Sequence, residues 1–323
     1  MPDSMSILYL RETDVDRLLT MACTIQVMDE AFRSLAAGKA DNAPRERVRA
    51  PGIVLHSMSA ALADRQLVGW KQYTTTAQGA RFLVGLHDQD SGELTALIEA
   101  NRLGQLRTGA VTGLAVRHLA AEDADQVGMF GCGWQAESQL AAVANVRSLR
   151  RAFVFSRDPQ RRKQFAEKMA AQLNIDVVAC DEPDQAVEDH PIVITATTSS
   201  EPVFDGTKLA AGAVVCAVGS NWLKKSELDA EVFRRARLVV CDNVACCRKE
   251  AGDLDRAQQA GVFAWDDAKE LADVVTGKTA RDNDQDIIVF KSVGMALEDV
   301  AIGGKLLELA QQHGVGSVLE IDE

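Results

Sequence analysis

The chain has 323 residues, a formal net charge of −12, 47% hydrophobic residues and 25% charged residues. This length exceeds what one domain usually needs, and the composition is typical of a globular protein, so two domains are expected. The negative charge argues against nucleic acid or an anionic membrane as the main partner. No apolar run approaches membrane-spanning length, and the first residues lack the features of a signal peptide. The seven cysteines show no paired spacing, which predicts reduced thiols in a cytoplasmic protein.

The N-terminal part is predicted to contain two helices followed by a sheet. Thr13 is the expected cap of a first short helix, and apolar residues at helical spacing indicate a second helix that ends at Gly38. Residues 39–52 are predicted to be irregular, because the segment ends in the turn signal Pro51-Gly52. Strands are expected at 53–56, 67–74, 82–87 and 94–98. Together these elements predict a small, mostly antiparallel sheet backed by helices.

A further helix is predicted over residues 101–120, and its interior contains Gly104, Gly109 and Gly113. Glycine destabilises the interior of a helix, so these residues require a reason. Close packing against a neighbouring element and close approach of a ligand both supply one. The sequence leaves the two alternatives open.

From Asp125 onward, strands and helices alternate. Strands are expected at 126–130, 152–156, 176–179, 192–196, 213–217, 238–241 and 286–290, with helices between them, for instance at 159–173 and 227–235. This alternation predicts an α/β fold with a doubly wound parallel sheet. A long helix from Met295 towards His313 is expected to return to the N-terminal part. The predicted domains are therefore 1–121, completed by 294–323, and 122–293.

The first strand of this second domain runs directly into a Gly-x-Gly-x-x-Ala turn at residues 131–136, and a helix follows. Gly131 permits a tight turn, Gly133 lets the backbone approach a pyrophosphate, and Ala136 permits close packing of helix on strand. The N-terminus of the helix then faces the phosphates. The motif has the strand–turn–helix context that it requires, so it predicts a bound dinucleotide.

The end of the second strand indicates which dinucleotide is bound. An acidic residue there would hold the ribose hydroxyls of NAD, but this chain has Ser156 followed by Arg157. Arg157 offers a planar, permanently charged donor for a 2′-phosphate. The next residue, Asp158, either caps the following helix or reaches the ribose itself. NADP(H) is therefore favoured, and NAD(H) is the alternative.

Cationic residues in the N-terminal domain form the other candidate site, namely Arg45 or Arg47, Lys71 and Arg107. Arg107 stands in an otherwise small and apolar helix segment. A buried arginine without a partner is costly, and a substrate carboxylate would satisfy it with two hydrogen bonds. An internal salt bridge is the structural alternative. The five histidines have no mutual spacing typical of ligands, so no metal site is predicted.

A series of ordered segments gives the chain a resemblance to a known family. The segments are Pro44-Arg45, the Lys71 strand, Leu106–Ala110, Gly131–Ala136, Thr195–Thr197, Ala217–Asn221, Glu227–Asp229 and Phe290–Asp299. Over nearly its full length the chain resembles the ornithine cyclodeaminase and mu-crystallin family. The resemblance implies a Rossmann domain plus a substrate domain whose sheet builds a homodimer. Family members include ornithine and lysine cyclodeaminases, alanine dehydrogenases and reductases of cyclic ketimines.

The resemblance also implies roles for individual residues. Arg45, Lys71 and Arg107 would bind a substrate carboxylate, with Arg47 as a possible substitute for Arg45. Thr195, Val218 and the turn at residues 292–294 would border the nicotinamide. The whole set expected to bind the cofactor is Thr108, Gly131, Gly133, Trp134, Gln135, Ala136, Ser156, Arg157, Thr195, Ala196, Thr197, Val218, Gly219, Ser220, Ser292, Val293 and Gly294.

One position departs from the family pattern. Cyclodeaminases carry an aspartate where this chain has Asn221, and an amide cannot act as a general base. Asn221 can orient a substrate group by hydrogen bonding. Lys225 matches a basic position of the cyclodeaminases and would serve as an acid only if burial lowered its pKa. We count Lys71, Asn221 and Lys225 as the candidate catalytic residues.

The expected activity is NAD(P)H-dependent reduction of a small cyclic 2-imino acid, such as Δ1-pyrroline-2-carboxylate to proline. A protonated cyclic imine brings its own proton, so the protein has only to hold the carboxylate and the hydride donor. The alternatives are ornithine cyclodeamination to proline and ammonia, and an amino-acid dehydrogenase of the alanine dehydrogenase type. A non-catalytic binding protein is a further alternative, since mu-crystallin shows that the scaffold can serve as a ligand binder.

Overall fold

The computed structural model describes residues 5–321 and divides the chain into two compact units. Unit 1 combines the chain up to Arg107 with the chain from Met295 onward, and unit 2 is Thr108–Gly294. Each unit contains one β-sheet, and both sheets follow from the patterns of apolar residues in the sequence.

From Met5, where the described residues begin, to residue 120, the chain forms three α-helices and six strands. The strands are β1 (Met5–Leu10), β2 (Ala40–Ala50), β3 (Ile53–Leu62), β4 (Leu67–Thr76), β5 (Gly79–Asp88) and β6 (Leu94–Glu99). The helices are α1 (Glu12–Leu18), α2 (Met21–Ala36) and α3 (Asn101–Leu119).

The alternating segment of the chain contains eight strands and six helices within the described residues. The strands are β7 (Gln126–Phe130), β8 (Arg151–Phe155), β9 (Asp176–Ala179), β10 (Ile192–Thr195), β11 (Val214–Ala217), β12 (Ala236–Cys241), β13 (Lys269–Glu270) and β14 (Ile287–Lys291). The helices are α4 (Trp134–Val146), α5 (Pro159–Leu173), α6 (Ala230–Arg235), α7 (Val244–Glu250), α8 (Gly252–Gln259) and α9 (Leu271–Val275). The chain continues with α10 (Ala296–His313) and β15 (Ser317–Ile321).

The sheet of unit 1 has the strand order β15-β1-β6-β5-β4-β3-β2. The pairing of β1 with β6 is parallel, and the other neighbours pair antiparallel. Helix α10 lies across β2 to β5 and packs against α2 as well. Many of its apolar side chains, among them Val300 and Leu306, are fully buried. The C-terminal helix thus completes the N-terminal fold, because strands joined by short turns expose an apolar face that needs a cover.

The sheet of unit 2 has the order β13-β12-β14-β11-β10-β7-β8-β9, and all of its described pairings are parallel. Fully buried strands such as Ile192–Thr195 and Ile287–Lys291 form its centre. The predicted α/β class with a doubly wound sheet is confirmed. The chain direction along the sheet reverses between β7 and β10, which is where such sheets bind ligands at the carboxyl ends of their strands.

Residues 39–52 were predicted to be irregular, and this prediction is wrong, because Ala40–Ala50 form β2. The strand lies at the edge of the sheet, and its register against β3 shifts between Ala43 and Glu46. Pro44 sits inside that irregularity. A proline cannot donate a ladder hydrogen bond, so edge strands and bulges are the places in a sheet that accept it.

Two predicted helix starts also need correction. Helix α1 begins at Glu12, before the expected cap Thr13, because the Asp14 carboxylate accepts the N–H of Arg11 at 2.9 Å. Helix α6 begins at Ala230 rather than at residue 227. Its cap is Asp229, whose carboxylate accepts the Val232 N–H at 3.0 Å.

The first boundary between the compact units lies inside α3, at Arg107/Thr108, whereas the sequence analysis placed it after residue 121. The second half of α3 packs within unit 2. A Cβ atom on Gly109 would lie 2.4 Å from the carbonyl oxygen of Ser138, and the Arg147 guanidinium donates to the Val116 carbonyl at 2.9 Å. Helix α3 continues without interruption across this boundary. Neither its periodicity nor its composition could therefore show where unit 1 ends and unit 2 begins.

Candidate functional site

The glycine turn between β7 and α4 has the geometry of a phosphate-binding loop. Gly131 has φ +108°, and a Cβ atom there would lie 2.4 Å from the Ala196 carbonyl oxygen. A Cβ atom on Gly133 would have no heavy atom within 4 Å, so the open side of this residue is accessible to a ligand. Ala136 is fully buried in the first turn of α4. An anion placed beside Gly133 would face the N-terminus of a thirteen-residue helix.

A cleft of about 560 Å³ opens beside this turn in unit 2. The residues around it that the sequence analysis singled out are Gly131, Gly133, Ser156, Arg157, Ala196 and Thr197. They come from the ends of β7, β8 and β10, so the cleft lies at the point where the direction of the sheet reverses. The residues present therefore fit the pyrophosphate and adenosine part of a dinucleotide.

At the end of β8, Asp158 caps the following helix and also lines the cleft. Its carboxylate accepts the Arg161 N–H at 3.0 Å and caps α5, so its oxygen already serves the helix. Arg162 is also engaged, because it donates to the Ser156 carbonyl at 3.1 Å and pairs with Asp181. Arg157 and Arg161 both line the cleft and are exposed.

The loops expected at the nicotinamide are held by carboxylates that the sequence analysis did not single out. Asp242 accepts hydrogen bonds from the Ser292 hydroxyl at 2.7 Å, the Val293 N–H at 2.8 Å and the Gly294 N–H at 2.7 Å. The fully buried Glu227 does the same for the loops after β10 and β11. An acidic residue at the carboxyl end of an apolar strand, as in Val239–Asp242, was the available signal.

The other predicted residues of unit 2 lie near these loops. Asn221 and Trp222 are half-buried on the segment after β11, and the Lys225 ammonium donates to the Thr198 carbonyl at 3.3 Å. The Val218 N–H donates to the Thr195 carbonyl at 3.0 Å, which joins the ends of β10 and β11. Ser220 is buried. On α4, Gln135 accepts from the Ser138 hydroxyl at 2.9 Å, and Trp134 is 47% exposed.

In unit 1 the structure brings two of the predicted cations together with two carboxylates on α10. The Lys71 ammonium lies 2.6 Å from an oxygen of Asp299. Arg107 places Nη1 2.6 Å from Glu298 and Nε 3.3 Å from Asp299. All four side chains are at least nine-tenths buried. The internal ion pair that the sequence offered as the alternative for Arg107 is therefore present.

Arg45 also belongs to this group, whereas Arg47 lies two residues further along β2. The buried Arg45 places Nε 3.3 Å from the sulfur of Met58, which pairs directly with Lys71 across β3 and β4. Its guanidinium and the Lys71 ammonium each lie 6.0 Å from the centre of the Tyr73 ring. Arg47 instead donates to Nδ1 of His56 at 3.2 Å.

We name Arg45, Lys71, Arg107, Glu298 and Asp299 the cation cluster, and its five side chains carry a formal sum of one positive charge. Burial is the largest influence on the Lys71 pKa and lowers it to about 8, against the opposing effect of Asp299. Arg107 and Arg45 contribute to this lowering of the Lys71 pKa. A carboxylate that enters the cluster would favour the charged form of Lys71 and compensate the excess charge.

The packing alternative for the glycines of α3 applies to Gly109. Gly109 permits packing against the α4 backbone, as described above. A Cβ atom on Gly104 would lie 3.3 Å from the Lys71 ammonium, so this glycine leaves space beside a residue of the cation cluster. Thr108 follows Arg107 on the same helix.

Two properties of the described residues 5–321 complete the description. Within that range, no helix is long and apolar enough to cross a membrane. The same range contains no group of three or more His, Cys, Asp or Glu side chains that could hold a metal ion.

The parallel sheet, its glycine turn and the cleft at the reversal of strand order define a protein with a Rossmann-type dinucleotide-binding fold. Residues 6–313 match the family model described as the ornithine cyclodeaminase/mu-crystallin family. The chain belongs to this family.

Individual relatives agree with this assignment. Delta(1)-pyrroline-2-carboxylate reductase of Bacillus cereus is 33% identical over 240 residues, which cover 74% of each chain. The structure of Thermococcus litoralis Delta(1)-pyrroline-2-carboxylate reductase in complex with NADH and L-proline has a TM-score of 0.92 at 31% identity, covering 96% of this chain and 99% of that one. An archaeal alanine dehydrogenase dimer with bound NAD has a TM-score of 0.93 at 27% identity, covering 98% and 100%.

Proposed function

We propose that this protein is an NAD(P)H-dependent reductase of small cyclic 2-imino acids, with Δ1-pyrroline-2-carboxylate as the leading substrate and L-proline as its product. The observation that carries the proposal is the cation cluster, in which three buried cations from β2, β4 and α3 converge. Such a site suits a small substrate with one carboxylate. The relatives that reduce pyrroline-2-carboxylate support the same substrate class.

In this proposal the residues of the two units have separate tasks. Arg45, Lys71 and Arg107 bind and orient the carboxylate. The glycine turn holds the pyrophosphate, and the bound nicotinamide supplies a hydride to the imine carbon. Because the cyclic imine binds protonated, its nitrogen needs no further proton when the C=N bond is reduced. Asn221 orients the substrate by hydrogen bonding.

Asn221 also favours this activity over ornithine cyclodeamination. The cyclodeaminase reaction needs proton transfer at an amine in addition to hydride return, and an amide side chain cannot accept that proton. Lys225 is the basic residue of that loop that matches the cyclodeaminases, and its ammonium donates to the Thr198 carbonyl. Alanine-type dehydrogenation needs an activated water and meets the same objection. Both activities remain alternatives, as does ligand binding without catalysis.

The test is NADPH or NADH oxidation by the purified protein with Δ1-pyrroline-2-carboxylate and its six-membered analogue. We expect turnover with stoichiometric formation of proline or pipecolate. Ammonia released from ornithine without net consumption of the cofactor would instead identify a cyclodeaminase. Cofactor binding with no turnover of any imino acid would identify a binding protein.

We further propose that NADPH is preferred over NADH, although the relatives described above bind NADH or NAD. The support is the pair Arg157 and Arg161 at the cleft, combined with the use of Asp158 as a helix cap. Arg157→Ala should lower kcat/KM for NADPH by about 10- to 100-fold, because a hydrogen bond between charged groups contributes about 1.5–3 kcal/mol.

The matched control is Lys163→Ala, which removes an exposed cation from helix α5, the helix that follows Arg157. It should leave both cofactors unaffected, and Arg157→Ala should leave kcat/KM for NADH within about twofold. Steady-state kinetics with both cofactors measures the ratio. Equal losses for NADPH and NADH would contradict the assignment of Arg157 to the 2′-phosphate.

Binding of a carboxylate to the cation cluster should depend on pH through Lys71. The lowered pKa of about 8 means that Lys71 is charged below that pH and loses its proton above it. The dissociation constant of pyrrole-2-carboxylate, a planar analogue of the substrate, should therefore rise about tenfold per pH unit above about pH 8. Calorimetric titration between about pH 6.5 and pH 9.5 measures this. Lys71→Arg should abolish the dependence, and an unchanged profile in that variant would exclude Lys71 as its cause.

We also propose a homodimer built on the sheet of unit 1. The face of that sheet opposite to α10 exposes apolar side chains, with Val48 at 70% exposure and Val68, Leu55 and Leu83 near 40%. An apolar face of this kind fits a second copy of the chain, and the archaeal alanine dehydrogenase is a dimer. Sedimentation analysis should give twice the chain mass of 34.9 kDa.

A further inference from the structure

A buried carboxylate, Glu227, connects two loops of unit 2 that come from different strands. One of its oxygens accepts the Thr197 N–H at 2.7 Å. The other accepts the Gly219 N–H at 2.8 Å and the Thr195 hydroxyl at 3.1 Å. Thr195 ends β10, and Gly219 lies two residues after β11. One fully buried side chain therefore fixes the distance between the carboxyl ends of two neighbouring strands.

The backbone of Glu227 is itself held by a buried ion pair. Its N–H donates to Asp253 at 2.6 Å, and the second oxygen of Asp253 lies 2.8 Å from the Lys291 ammonium. Lys291 also donates to the Ser220 carbonyl at 2.9 Å, next to Gly219. Lys291 and Asp253 both have fully buried side chains. The contacts form a closed ring from Glu227 through Gly219, Ser220, Lys291 and Asp253 back to Glu227.

The loops are packed closely around this ring. A Cβ atom on Gly219 would lie 2.3 Å from a carboxylate oxygen of Glu227 and 2.5 Å from backbone atoms of Thr197. A glycine at this position thus allows the two loops to approach the carboxylate. Lys291 is a member of the ring. Residues 292–294, which follow it in the chain, form the turn that donates hydrogen bonds to Asp242.

The ring contains two carboxylates and one ammonium, a formal sum of one negative charge, so both carboxylates depend on Lys291 for compensation. Burial raises the pKa of Glu227, and the nearby Lys291 opposes that effect. Breaking a buried ionic network by removing one partner is costly, while apolar replacements of the whole are often neutral for stability. Stability alone would therefore not require a buried ionic network at the ends of β10, β11 and β14.

We propose that Glu227, Asp253 and Lys291 form a positioning triad that sets the loops at residues 195–197 and 218–220 for the nicotinamide end of the cofactor. The triad touches neither substrate nor cofactor and acts through the backbone of those loops. This inference rests on the proposed function, because that function is what assigns these loops to the nicotinamide. It predicts separate effects on the two ends of the dinucleotide.

The test variant is Glu227→Gln, in which the amide nitrogen must face one of the three donors. NADPH affinity should fall about tenfold and kcat about 10- to 100-fold, because a hydrogen-bond acceptor in a buried network is lost and the reacting ring is misplaced. The affinity for 2′-phospho-ADP-ribose, which lacks the nicotinamide, should stay within about twofold of wild type. A larger deuterium isotope effect with NADPH labelled at C4 would show that the hydride step has become slow.

The matched control is Asp229→Asn. Asp229 is another carboxylate of the same segment that accepts two backbone N–H groups, from Gly206 and Val232, each at 3.0 Å. It lies outside the triad, so this variant should lose stability while keeping the wild-type ratio of NADPH to fragment affinity. Equal losses of NADPH and fragment affinity in Glu227→Gln would overturn the proposal.

A second measurement needs no variant. In the wild-type protein without cofactor, the amides of Thr197 and Gly219 should exchange with solvent much more slowly than those of the neighbouring exposed residues Leu223 and Lys224. Equal exchange rates would overturn the proposal even if Glu227→Gln did not fold. Failure of the proposed function would give a different result. The wild-type protein would not turn over imino acids, although both amides would still exchange slowly with solvent.

Discussion

Arg107→Met should lower kcat/KM for Δ1-pyrroline-2-carboxylate by about 10²- to 10³-fold, because it removes one of the three cations proposed to bind the substrate carboxylate. Removing one partner from a buried charge pair costs about 2–5 kcal/mol, or about 30- to 5,000-fold, and the expected loss lies within this range. The loss has a second origin, since the side chains that remain in the cation cluster would carry a formal sum of zero, and the positive charge that attracts an anion would be gone.

The variant also removes the arginine that pairs with Glu298, so loss of activity has to be distinguished from loss of the fold. Arg107 donates to Glu298 at 2.6 Å, and burial of a carboxylate without its cation is destabilising. NADPH binding provides the separation, because the glycine turn belongs to unit 2 whereas the cluster belongs to unit 1. The double variant Arg107→Met/Glu298→Gln restores the charge balance and should regain stability without regaining activity.

Arg102→Met is the matched control for Arg107→Met. Arg102 lies on the same helix α3, is partly exposed and pairs with Asp16 at the surface. Surface pairs of this kind contribute about 0–1 kcal/mol, so this variant should keep wild-type kinetics. Wild-type kcat/KM in Arg107→Met, with an intact fold, would show that Arg107 serves only the internal ion pair.

The cofactor site could be predicted from the sequence because its signals are local. The strand, the two glycines and the helix after them lie within about twenty consecutive residues, and each residue type follows from backbone geometry. The positive φ of Gly131 and the open surface of Gly133 agree with those roles. The strands around the turn were predicted to within a few residues, since buried parallel strands are continuous apolar runs.

The partners of the cations could not be predicted in the same way. Lys71 and Asp299 are 228 residues apart in sequence, and Arg107 and Glu298 are 191 apart. A pair of acidic residues at the start of a helix is common, because it favours the helix dipole. Only the packing of α10 across the sheet shows that these two carboxylates face the cations.

Glu227 shows a second limit of sequence analysis. The prediction placed it in the first turn of a helix, where an acidic residue is expected to be solvated. The helix begins three residues later, and Glu227 instead enters the interior, where it accepts from backbone N–H groups of two loops. Its role depends on Asp253 and Lys291, which come from two later parts of the chain. Neither periodicity nor a motif records such a ring of contacts.

The second large effect is expected at the glycine turn, where Gly133→Val should lower the affinity for NADPH by about 10²- to 10⁴-fold without preventing folding. Gly133 has φ −94° and ψ −178°, an extended conformation that valine readily adopts, and its Cβ position is unobstructed in the protein. The added side chain would occupy the space through which the pyrophosphate approaches the backbone. Losing two hydrogen bonds to a charged group costs about 3–6 kcal/mol.

Thermal unfolding and calorimetric titration together distinguish this effect from a folding defect. Gly133→Val should change the melting temperature by about 2–4 °C or less, since a poorer cap residue costs about 1 kcal/mol. Gly131→Ala provides the contrast, because φ +108° and the Ala196 carbonyl 2.4 Å from its Cβ position make that variant unstable. Asn145→Val places the same side chain at the exposed far end of α4 and should leave NADPH affinity unchanged. If Gly133→Val bound NADPH like wild type, the pyrophosphate would have to lie elsewhere, and the cofactor site proposed at this turn would be wrong.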